Sequence, residues 1–255
     1  MVQVLDGIDQ LRPGLRFVAT VGVFDGVHLG HVHVLERLRV LAEELGAVPV
    51  AITFEPHPQA VITGRAPDLI CDPQEKLVRM ADGGAEVIVV QRFDEAFRSQ
   101  TAEEFLERLA RGRQLVGLVM SHESAFGRDR QGTVETVQRL AARDGWRLVE
   151  VDTLEVDGAP VSSSRIRSCL GAGDLAAAKR MLGRPYRVPG GLGPDGMFRQ
   201  ADSFVAVAPG TYGVLIGGHP ATATVDEGGV IRLDGDLGPA GTEAELTFQG
   251  SPASA

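Results

Sequence analysis

The chain has 255 residues, of which 44% are hydrophobic and 23% charged, and its formal net charge is -9. This composition is that of an ordinary globular protein with enough residues for one or two domains. No apolar run approaches the length of a membrane span, and the acidic balance argues against a general nucleic-acid binder. We therefore expect small-molecule partners, with no nucleic acid and no membrane.

Cysteine and lysine usage further limits the classes of protein to which the chain can belong. Cys71 and Cys169 lie far apart in no metal-type spacing, which predicts a reducing, cytoplasmic setting without a disulfide framework. The early acid at Asp6 and the lack of a basic leader predict no signal peptide. Neither lysine, Lys76 or Lys179, follows a glycine, so the chain has no P-loop.

Apolar runs alternate with amphipathic stretches from residue 16 to about residue 152. Strands are predicted at 16–21, 48–54, 86–91, 115–120 and 147–151, and helices at 32–45, 74–82, 101–111 and 134–143. Thr101 and Glu104 are spaced as a capping box at the start of one helix. This alternation predicts a parallel sheet with helices on both faces and ligands beyond the carboxyl ends of its strands.

The pattern changes in the last third of the chain. Two short helices are predicted at 162–170 and 174–182, and glycine-rich sequence with short β-type runs follows Pro185. The runs are at 204–207, 211–216, 222–225, 230–233 and 244–248. They predict a small all-β domain of five or six strands, and residues 251–255 are predicted to be a frayed tail.

The first candidate site lies directly after the first predicted strand, at residues 21–31. Gly22 allows close backbone approach, and His28 and His31 are three apart at a helix start, where free N–H groups favour phosphate. A polar turn with solvated histidines is an equally open interpretation. A metal site that includes His33 is a weaker one, because no carboxylate or cysteine has ligand spacing.

Three further stretches carry possible site residues. TFEPHP at residues 53–58 follows the next strand, although from the residues alone a rigid connector with Phe54 in the core is the favoured interpretation. A polar loop at 121–132 follows a later strand, where long loops are commonly functional. VSSSRIR at 161–167 places three hydroxyls and two arginines at a helix start, more than an N-cap requires, which favours phosphate binding.

In this order, these stretches resemble the bacterial bifunctional riboflavin kinase/FAD synthetases, in their adenylyltransferase module of the HxGH nucleotidylyltransferase superfamily. The matching residues are Gly22, FDGVHLGH at 24–31, TFEPHP at 53–58, Phe126-Gly127, VSSSRIR at 161–167 and GRPY at 183–186. The resemblance implies a Rossmann-like parallel-sheet α/β domain at 1–186. A small all-β, barrel-like domain of the kinase type is then expected at 187–250, before the tail at 251–255.

The resemblance also implies roles for individual residues. His28, His31 and Arg165 would be catalytic, and the nucleotide would be bound by Gly22, Val23, Phe24, Asp25, Gly30, Ser162, Ser163 and Ser164. The acceptor pocket would be lined by Phe54, His57, Pro58, Glu123, Phe126 and Arg128. A phosphate oxygen of FMN would attack the α-phosphorus of ATP, with Mg²⁺ held through the substrate phosphates and no metal ligand from the protein.

Two departures from the family pattern leave alternatives open. Glu123 and Ser124 stand where the family usually has aspartate or asparagine followed by phenylalanine, at the place where it holds the flavin. Residues 187–208 lack the kinase's glycine-arginine loop and its Pro-Thr-Ala-Asn motif. We expect an FMN adenylyltransferase without riboflavin kinase activity. The alternatives are the same chemistry on another acceptor or nucleotide, and a non-catalytic flavin- or nucleotide-binding regulator.

Overall fold

The computed structural model describes residues 2–193, 195–201, 203–235, 237 and 243–250, so the predicted tail lies outside the described residues. The strands are β1 (Gln3–Asp6), β2 (Arg16–Val21), β3 (Val48–Glu55), β4 (Val87–Arg92), β5 (Gln114–Ser121), β6 (Arg147–Val151), β7 (Glu155–Val156), β8 (Ala159–Pro160), β9 (Arg187–Leu192), β10 (Met197–Gln200), β11 (Gly210–Ile216), β12 (His219–Val225), β13 (Ile231–Gly235) and β14 (Glu243–Phe248). The α-helices are α1 (Leu29–Leu45), α2 (Pro58–Thr63), α3 (Pro73–Asp82), α4 (Glu95–Arg98), α5 (Ala102–Ala110), α6 (Val134–Asp144), α7 (Ser163–Gly171) and α8 (Leu175–Leu182).

The first six strands form one parallel sheet in the order β1-β4-β3-β2-β5-β6. Without the edge strand β1, this is the Rossmann-like order, and the predicted fold class is confirmed. The chain leaves β2 in one direction to β3 and later returns to its other side as β5. A ligand is therefore expected beyond the carboxyl ends of β2 and β5, where the strand order reverses.

The helix signals in the sequence account for the layers around the sheet. α1 buries Val34, Leu35, Leu38, Leu41 and Ala42 along one face, as its apolar spacing predicts. It begins at Leu29, three residues before the predicted start. The predicted capping box of α5 is present, with the Glu104 amide donating to Thr101 Oγ1 at 3.1 Å and the Thr101 amide to Glu104 Oε2 at 2.7 Å.

Strands β9 to β14 close into an antiparallel barrel in the order β10-β13-β12-β11-β14-β9. β11 alternates buried and exposed residues along its length, which is the pattern of a strand with one face inside. The Phe248 ring stacks on Tyr186 at 6.1 Å and meets Tyr212 edge-on at 5.6 Å. All three rings are buried, and the interior of the barrel is packed with side chains.

The predicted strand at 204–207 is wrong, because Phe204 makes only an isolated bridge to Leu69. Strand β9, in contrast, was not predicted from its sequence. Its Gly190 is needed for close packing, since a Cβ there would lie 2.4 Å from the Arg199 carbonyl oxygen. Glycine lowers strand propensity, so only the barrel partners reveal this strand.

The chain divides into two compact units, each of which is made of three separate segments of the sequence. The first unit comprises residues 1–24, 30–67 and 77–154, and the second comprises 25–29, 68–76 and 155–255. The sheet belongs to the first unit and the barrel, with α7 and α8, to the second. The division into domains at 1–186 and 187–250 stays a prediction. Among the described residues, no helix is long and apolar enough to cross a membrane.

Candidate active site

In the first unit, the end of β2 is held against β3. The Gly22 amide donates to the Ile52 carbonyl at 3.0 Å, and Thr53 Oγ1 donates to the Val23 carbonyl at 2.9 Å. Thr53 is fully buried, so this hydroxyl is a fixed donor. The backbone of Gly22 and Val23 is therefore pinned at the carboxyl end of the sheet, where the fold places ligands.

His31 is the third residue of α1, and Gly30 is the second. The ring of Phe24 lies beside the His31 ring, with centroids 5.2 Å apart. Phe24 itself is buried and has a φ of +52°, a conformation uncommon for a residue with a side chain. The backbone conformation at Phe24 thus places an aromatic ring beside His31 at the N-terminus of α1.

The second unit contains the turn Asp25–Val27, which immediately precedes His28. Gly26 has a φ of +72° and Val27 a φ of +36°. A Cβ on Gly26 would lie 2.8 Å from Ile70 Cγ2, so both the space and the backbone conformation require glycine here.

His28 is buried, with 6% of its surface exposed. Burial, and then the positive charge of Arg184, lowers the pKa of His28 to about 4. At neutral pH the ring is therefore uncharged, with one nitrogen that donates and one that accepts a hydrogen bond. It can bind a phosphate oxygen by hydrogen bonding but does not bring a positive charge of its own.

Asp25, predicted to bind the nucleotide, contacts two groups of α7 in the second unit. Its carboxylate pairs with Arg167, and its carbonyl accepts from Ser163 Oγ at 3.0 Å. Arg167 Nε also donates to the Asp68 carbonyl at 2.7 Å. The serine-arginine segment and the histidine turn, 138 residues apart in sequence for Ser163 and Asp25, are thus in direct contact.

The other residues of the segment have separate partners. Ser162 is the N-cap of α7, where its Oγ accepts from the Arg165 amide at 3.3 Å, and Ser164 is exposed. Arg165 Nη1 donates to the carbonyls of Val156 at 2.9 Å and Ala159 at 2.8 Å, in the β7–β8 hairpin. One end of the Arg165 guanidinium therefore holds this hairpin, and its catalytic role stays a prediction.

Arg184 was not among the predicted site residues, although it lies in the matching GRPY motif. Its Nη2 donates to the Gly26 carbonyl at 2.7 Å and its Nη1 to the Val27 carbonyl at 3.3 Å. Its Nε donates to Glu75 Oε1 at 3.2 Å. The sequence signal was an arginine flanked by glycine and proline at the end of α8, but no spacing rule connects it to residue 28.

The predicted acceptor residues Phe54 and Phe126 belong to one aromatic cluster in the first unit. Ring centroids are 5.6 Å apart at each step from Phe54 to Phe97, from Phe97 to Phe105 and from Phe105 to Phe126. Phe54 is buried, which agrees with the interpretation that it belongs to the core. The rings connect the end of β3 to the loop after β5, so the two predicted acceptor elements share one packing unit.

The loop after β5 is seated on the start of α5. The Arg128 amide donates to the Gln100 carbonyl at 2.7 Å, and a Cβ on Gly127 would lie 2.5 Å from the Ala102 nitrogen. Nearby, Ser121 Oγ and Ser124 Oγ are 2.5 Å apart. The side chains of Glu123 and Arg128 are exposed on this loop.

Two histidines near the predicted acceptor side have structural partners. His57 is the N-cap of α2, which starts at Pro58, and its Nδ1 accepts from the Gln59 amide at 3.1 Å. His122 pairs with Glu150, and this hydrogen bond raises the pKa of the exposed His122 ring. Neither arrangement tests the predicted contact of His57 and Pro58 with an acceptor.

A sequence profile of the family described as FAD synthetase matches residues 14–165, more than half of the chain. This chain belongs to the FAD synthetase family. The match runs from just before β2 to Arg165, so it includes both histidines of the HxGH motif and the three serines at the start of α7. Arg184 and the barrel lie beyond it.

Curated relatives of this FAD synthetase family member are named "Bifunctional riboflavin kinase/FMN adenylyltransferase". The protein from Pseudomonas fluorescens is 35% identical over 191 residues, covering 74% of this chain and 61% of the relative. The protein from Bacillus subtilis (strain 168) is 34% identical over 179 residues, covering 69% and 56%. The chain thus spans about three fifths of the length of these relatives.

Among solved structures, the "Crystal Structure of Macrolide-efflux Protein from Streptococcus pneumoniae" superposes with a TM-score of 0.85. The two are 21% identical, and the alignment covers 100% of this chain and 93% of the other. This similarity shows a shared fold over both the sheet and the barrel of this FAD synthetase family member, and at that identity it shows the fold alone.

Proposed function

We propose that the chain transfers the adenylyl group of ATP to FMN, giving FAD and pyrophosphate. The observation that carries the proposal is the HxGH turn at the carboxyl end of β2, within a family match that covers residues 14–165. The relatives' printed names include FMN adenylyltransferase. We also place the protein in the cytoplasm, because the two thiols are unpaired.

The chemistry needs no covalent enzyme intermediate. A phosphate oxygen of FMN forms the new bond to the α-phosphorus of ATP, the bond from that phosphorus to the bridging oxygen breaks, and pyrophosphate leaves with the electron pair. The protein positions the two phosphates and stabilises the charge that develops on the phosphoryl oxygens. The proposed donors are His31 at the start of α1, uncharged His28, and the N-terminus of α7 with Ser162, Ser163, Ser164 and Arg165.

We propose that Mg²⁺ is held through the substrate phosphates, as the family resemblance implies. Within the described part of the chain, no group of three or more histidine, cysteine, aspartate or glutamate side chains is arranged to hold a metal ion. Mg²⁺ in nucleotide enzymes commonly keeps its waters and binds substrate phosphates with one or two carboxylates or none. When bound, it supplies neutralising charge at the phosphates.

We further propose that the chain lacks riboflavin kinase activity. Residues 187–208 lack the motifs expected of that kinase, and the described interior of the barrel is packed with side chains such as Phe198, Tyr212 and Phe248. Riboflavin with ATP and Mg²⁺ should therefore yield no FMN by chromatography. Formation of FMN would show that this part of the proposal is wrong.

A different acceptor for the same chemistry is the second candidate, and the loop after β5 favours it. Ser124 bonds to Ser121 where the family has an aromatic ring, and Glu123 is exposed beside it. The adenylyl-transfer assay distinguishes the candidates: the protein is incubated with Mg²⁺, each of the four NTPs and FMN, and pyrophosphate and flavin products are measured. FAD formation supports the first candidate, and pyrophosphate release only with another phosphorylated acceptor supports the second. Tight binding without turnover would support a regulator.

His31→Ala tests the catalytic assignment. The substitution removes a donor beside the phosphates, so kcat should fall by about 10²- to 10³-fold, as when one transition-state donor is removed. The control is His33→Ala, which removes another partly buried histidine of α1 that is not assigned to the site. A kcat near that of the unaltered protein for His31→Ala would contradict the role.

A further inference from the structure

We infer that Arg184 is a positioning residue for the turn that carries His28, and that Glu75, shared between Arg184 and the barrel residue Arg187, orients it. The inference rests on the proposed function, because it gives these residues a role in that reaction. Arg184, Glu75, Arg187 and residues 25–29 all belong to the second compact unit. The contacts that carry it therefore lie within one unit.

The turn before His28 needs support from outside itself. Gly26 and Val27 both have positive φ values, and this conformation is unfavourable for a β-branched residue such as Val27. A three-residue turn has few hydrogen bonds of its own to stabilise that conformation. Such a backbone persists only where neighbouring groups fix it.

Arg184 donates hydrogen bonds to the backbone carbonyls of both Gly26 and Val27. One planar guanidinium reaches the Gly26 carbonyl at 2.7 Å, the Val27 carbonyl at 3.3 Å and the Leu182 carbonyl at 3.3 Å. It thereby fixes the two peptide groups directly before His28 relative to the end of α8. Lysine carries the same charge but has no fork that could serve these acceptors and Glu75 together.

Glu75 fixes the orientation of this guanidinium. Its Oε1 accepts from Arg184 Nε at 3.2 Å, and the side chains of Arg184 and Glu75 are only 12% and 17% exposed. The pair is thus largely shielded from water, where ion pairs are stronger than at the surface. The same Oε1 lies 3.7 Å from Arg187 Nη2, at the start of β9.

Arg187 extends the network into the barrel. Its Nη1 donates to Glu245 Oε1 of β14 at 2.7 Å. A series of charged contacts therefore runs from two adjacent barrel strands through Glu75 and Arg184 to the backbone before His28. The barrel then has a role in the adenylyl-transfer site that requires no kinase activity.

Arg184→Lys is the first test. Displacement of His28 by a fraction of an ångström should lower kcat about 10- to 100-fold and leave KM for FMN within about 3-fold, since misplacement of about 1 Å can cost 10² in rate. Arg199→Lys is the matched control, because Arg199 pairs with Asp195 at 3.1 Å on the exposed surface of the same barrel. Unaltered kcat in Arg184→Lys would overturn the inference.

The titration of His28, followed by NMR of its imidazole and assigned with His28→Gln, gives a readout that does not depend on turnover. Arg184→Lys retains the charge, so an upward move of the His28 pKa from about 4 toward 6.5 would report loss of burial as the turn is released. An unchanged titration would overturn the inference. If the unaltered protein makes no FAD, the proposed function fails, but this measurement still decides the role of Arg184.

Glu75→Gln and Arg187→Gln test the rest of the network and serve if Arg184→Lys does not fold. Glu75→Gln keeps an acceptor oxygen but removes the charge, so a smaller loss of kcat, about 3- to 10-fold, is expected. If Arg187 acts through Glu75, the double variant should lose less kcat than the product of the fold-losses of the two single variants. Multiplicative losses, or none, would contradict the shared network.

Discussion

At the scale of single residues, burial decides the protonation state of the histidine that precedes α1. His28 and His31 are equivalent in the sequence motif, but His28 is 6% exposed and its pKa is held at about 4 by burial and by Arg184. A histidine that is neutral when folded and has the ordinary pKa of 6.5 when unfolded ties stability to pH. The unfolded chain binds the additional proton, so acid favours unfolding.

The pH dependence of unfolding should therefore include a contribution from His28. As pH falls from 6.5 to 4, this group should reduce the free energy of unfolding by up to about 3 kcal/mol, because its pKa is about 4 in the folded protein and 6.5 in the unfolded chain. The contribution is fully present above pH 6.5 and is lost progressively below it. Urea unfolding of the unaltered protein and His28→Gln across this range measures the effect.

The difference in the free energy of unfolding between the unaltered protein and His28→Gln cancels the contribution of the carboxylates, because both proteins contain them. Asp9 and Asp144, for example, have lowered pKa values through their arginine partners and also lose stability in acid. The difference should grow as pH rises from 4 to 6.5 and then stay constant. A difference that does not change with pH would show that His28 titrates normally in the folded protein.

At the scale of elements, the loop after β5 is held by shape against the start of α5. Gly127 has a φ of +75°, and a Cβ there would lie 2.5 Å from the Ala102 nitrogen and 2.9 Å from its Cα. These are backbone atoms of a capped helix, so they cannot move aside cheaply. The same loop includes Phe126 of the aromatic cluster, which contacts Phe105 of α5.

Gly127→Ala should destabilise the first unit by about 2–6 kcal/mol, since alanine at positive φ with a ψ of 174° costs about 1–3 kcal/mol and overpacking adds about 1–3 kcal/mol. If the loop binds the acceptor as proposed, KM for FMN should rise more than KM for ATP. Denaturant unfolding and steady-state kinetics measure the two effects.

Gly7→Ala is the matched control for this substitution. Gly7 has a similar backbone conformation, with φ +93° and ψ 152°, but the nearest atom to its Cβ position is Gln91 Oε1 at 3.6 Å, an ordinary contact. It should show only the backbone cost of about 1–3 kcal/mol, without a change in KM for FMN. Equal destabilisation by the two alanines would mean that the loop moves freely away from α5.

At the scale of the whole molecule, the second compact unit takes in short segments from the first third of the chain. Residues 25–29 and 68–76 group with α7, α8 and the barrel. The turn that carries His28 therefore belongs to a unit whose other segments are distant from it in sequence. Unfolding of the barrel's unit should release that turn and end the proposed adenylyl transfer.

Phe248→Ala should for this reason lower the temperature at which activity is lost. Phe248 packs against Tyr186 and Tyr212, and truncation of a buried phenylalanine typically costs about 3–5 kcal/mol. Val230→Ala, at a residue 44% exposed in the same unit, is the control and should change the inactivation temperature little. If Phe248→Ala destabilises the barrel while activity persists to the same temperature, the His28 turn does not depend on the barrel.

Local sequence patterns were enough to predict the parallel sheet, the positions of most helices and the two motifs proposed to bind phosphate. These predictions depend on local periodicity, caps and turn residues, as in α1, α5 and the start of α7, where the informative residues are neighbours along the chain. Strand β9 was not predicted because its Gly190, which lowers strand propensity, is required by a close partner across the barrel. The prediction of a strand at 204–207 was wrong because apolar residues outside a sheet have the same sequence pattern as those inside one.

The residues that support these motifs become apparent only when the chain is folded. The tertiary structure paired Asp25 with Arg167, held one end of the Arg165 guanidinium at a hairpin and set Arg184 on the carbonyls of Gly26 and Val27. These contacts join residues more than a hundred positions apart, or depend on which carbonyl a flexible side chain reaches. Sequence periodicity does not predict such contacts, because they arise from the packing of distant segments. The motif at residues 24–31 could therefore be found in the sequence, whereas the protonation state of His28 and the contacts that support its turn could not.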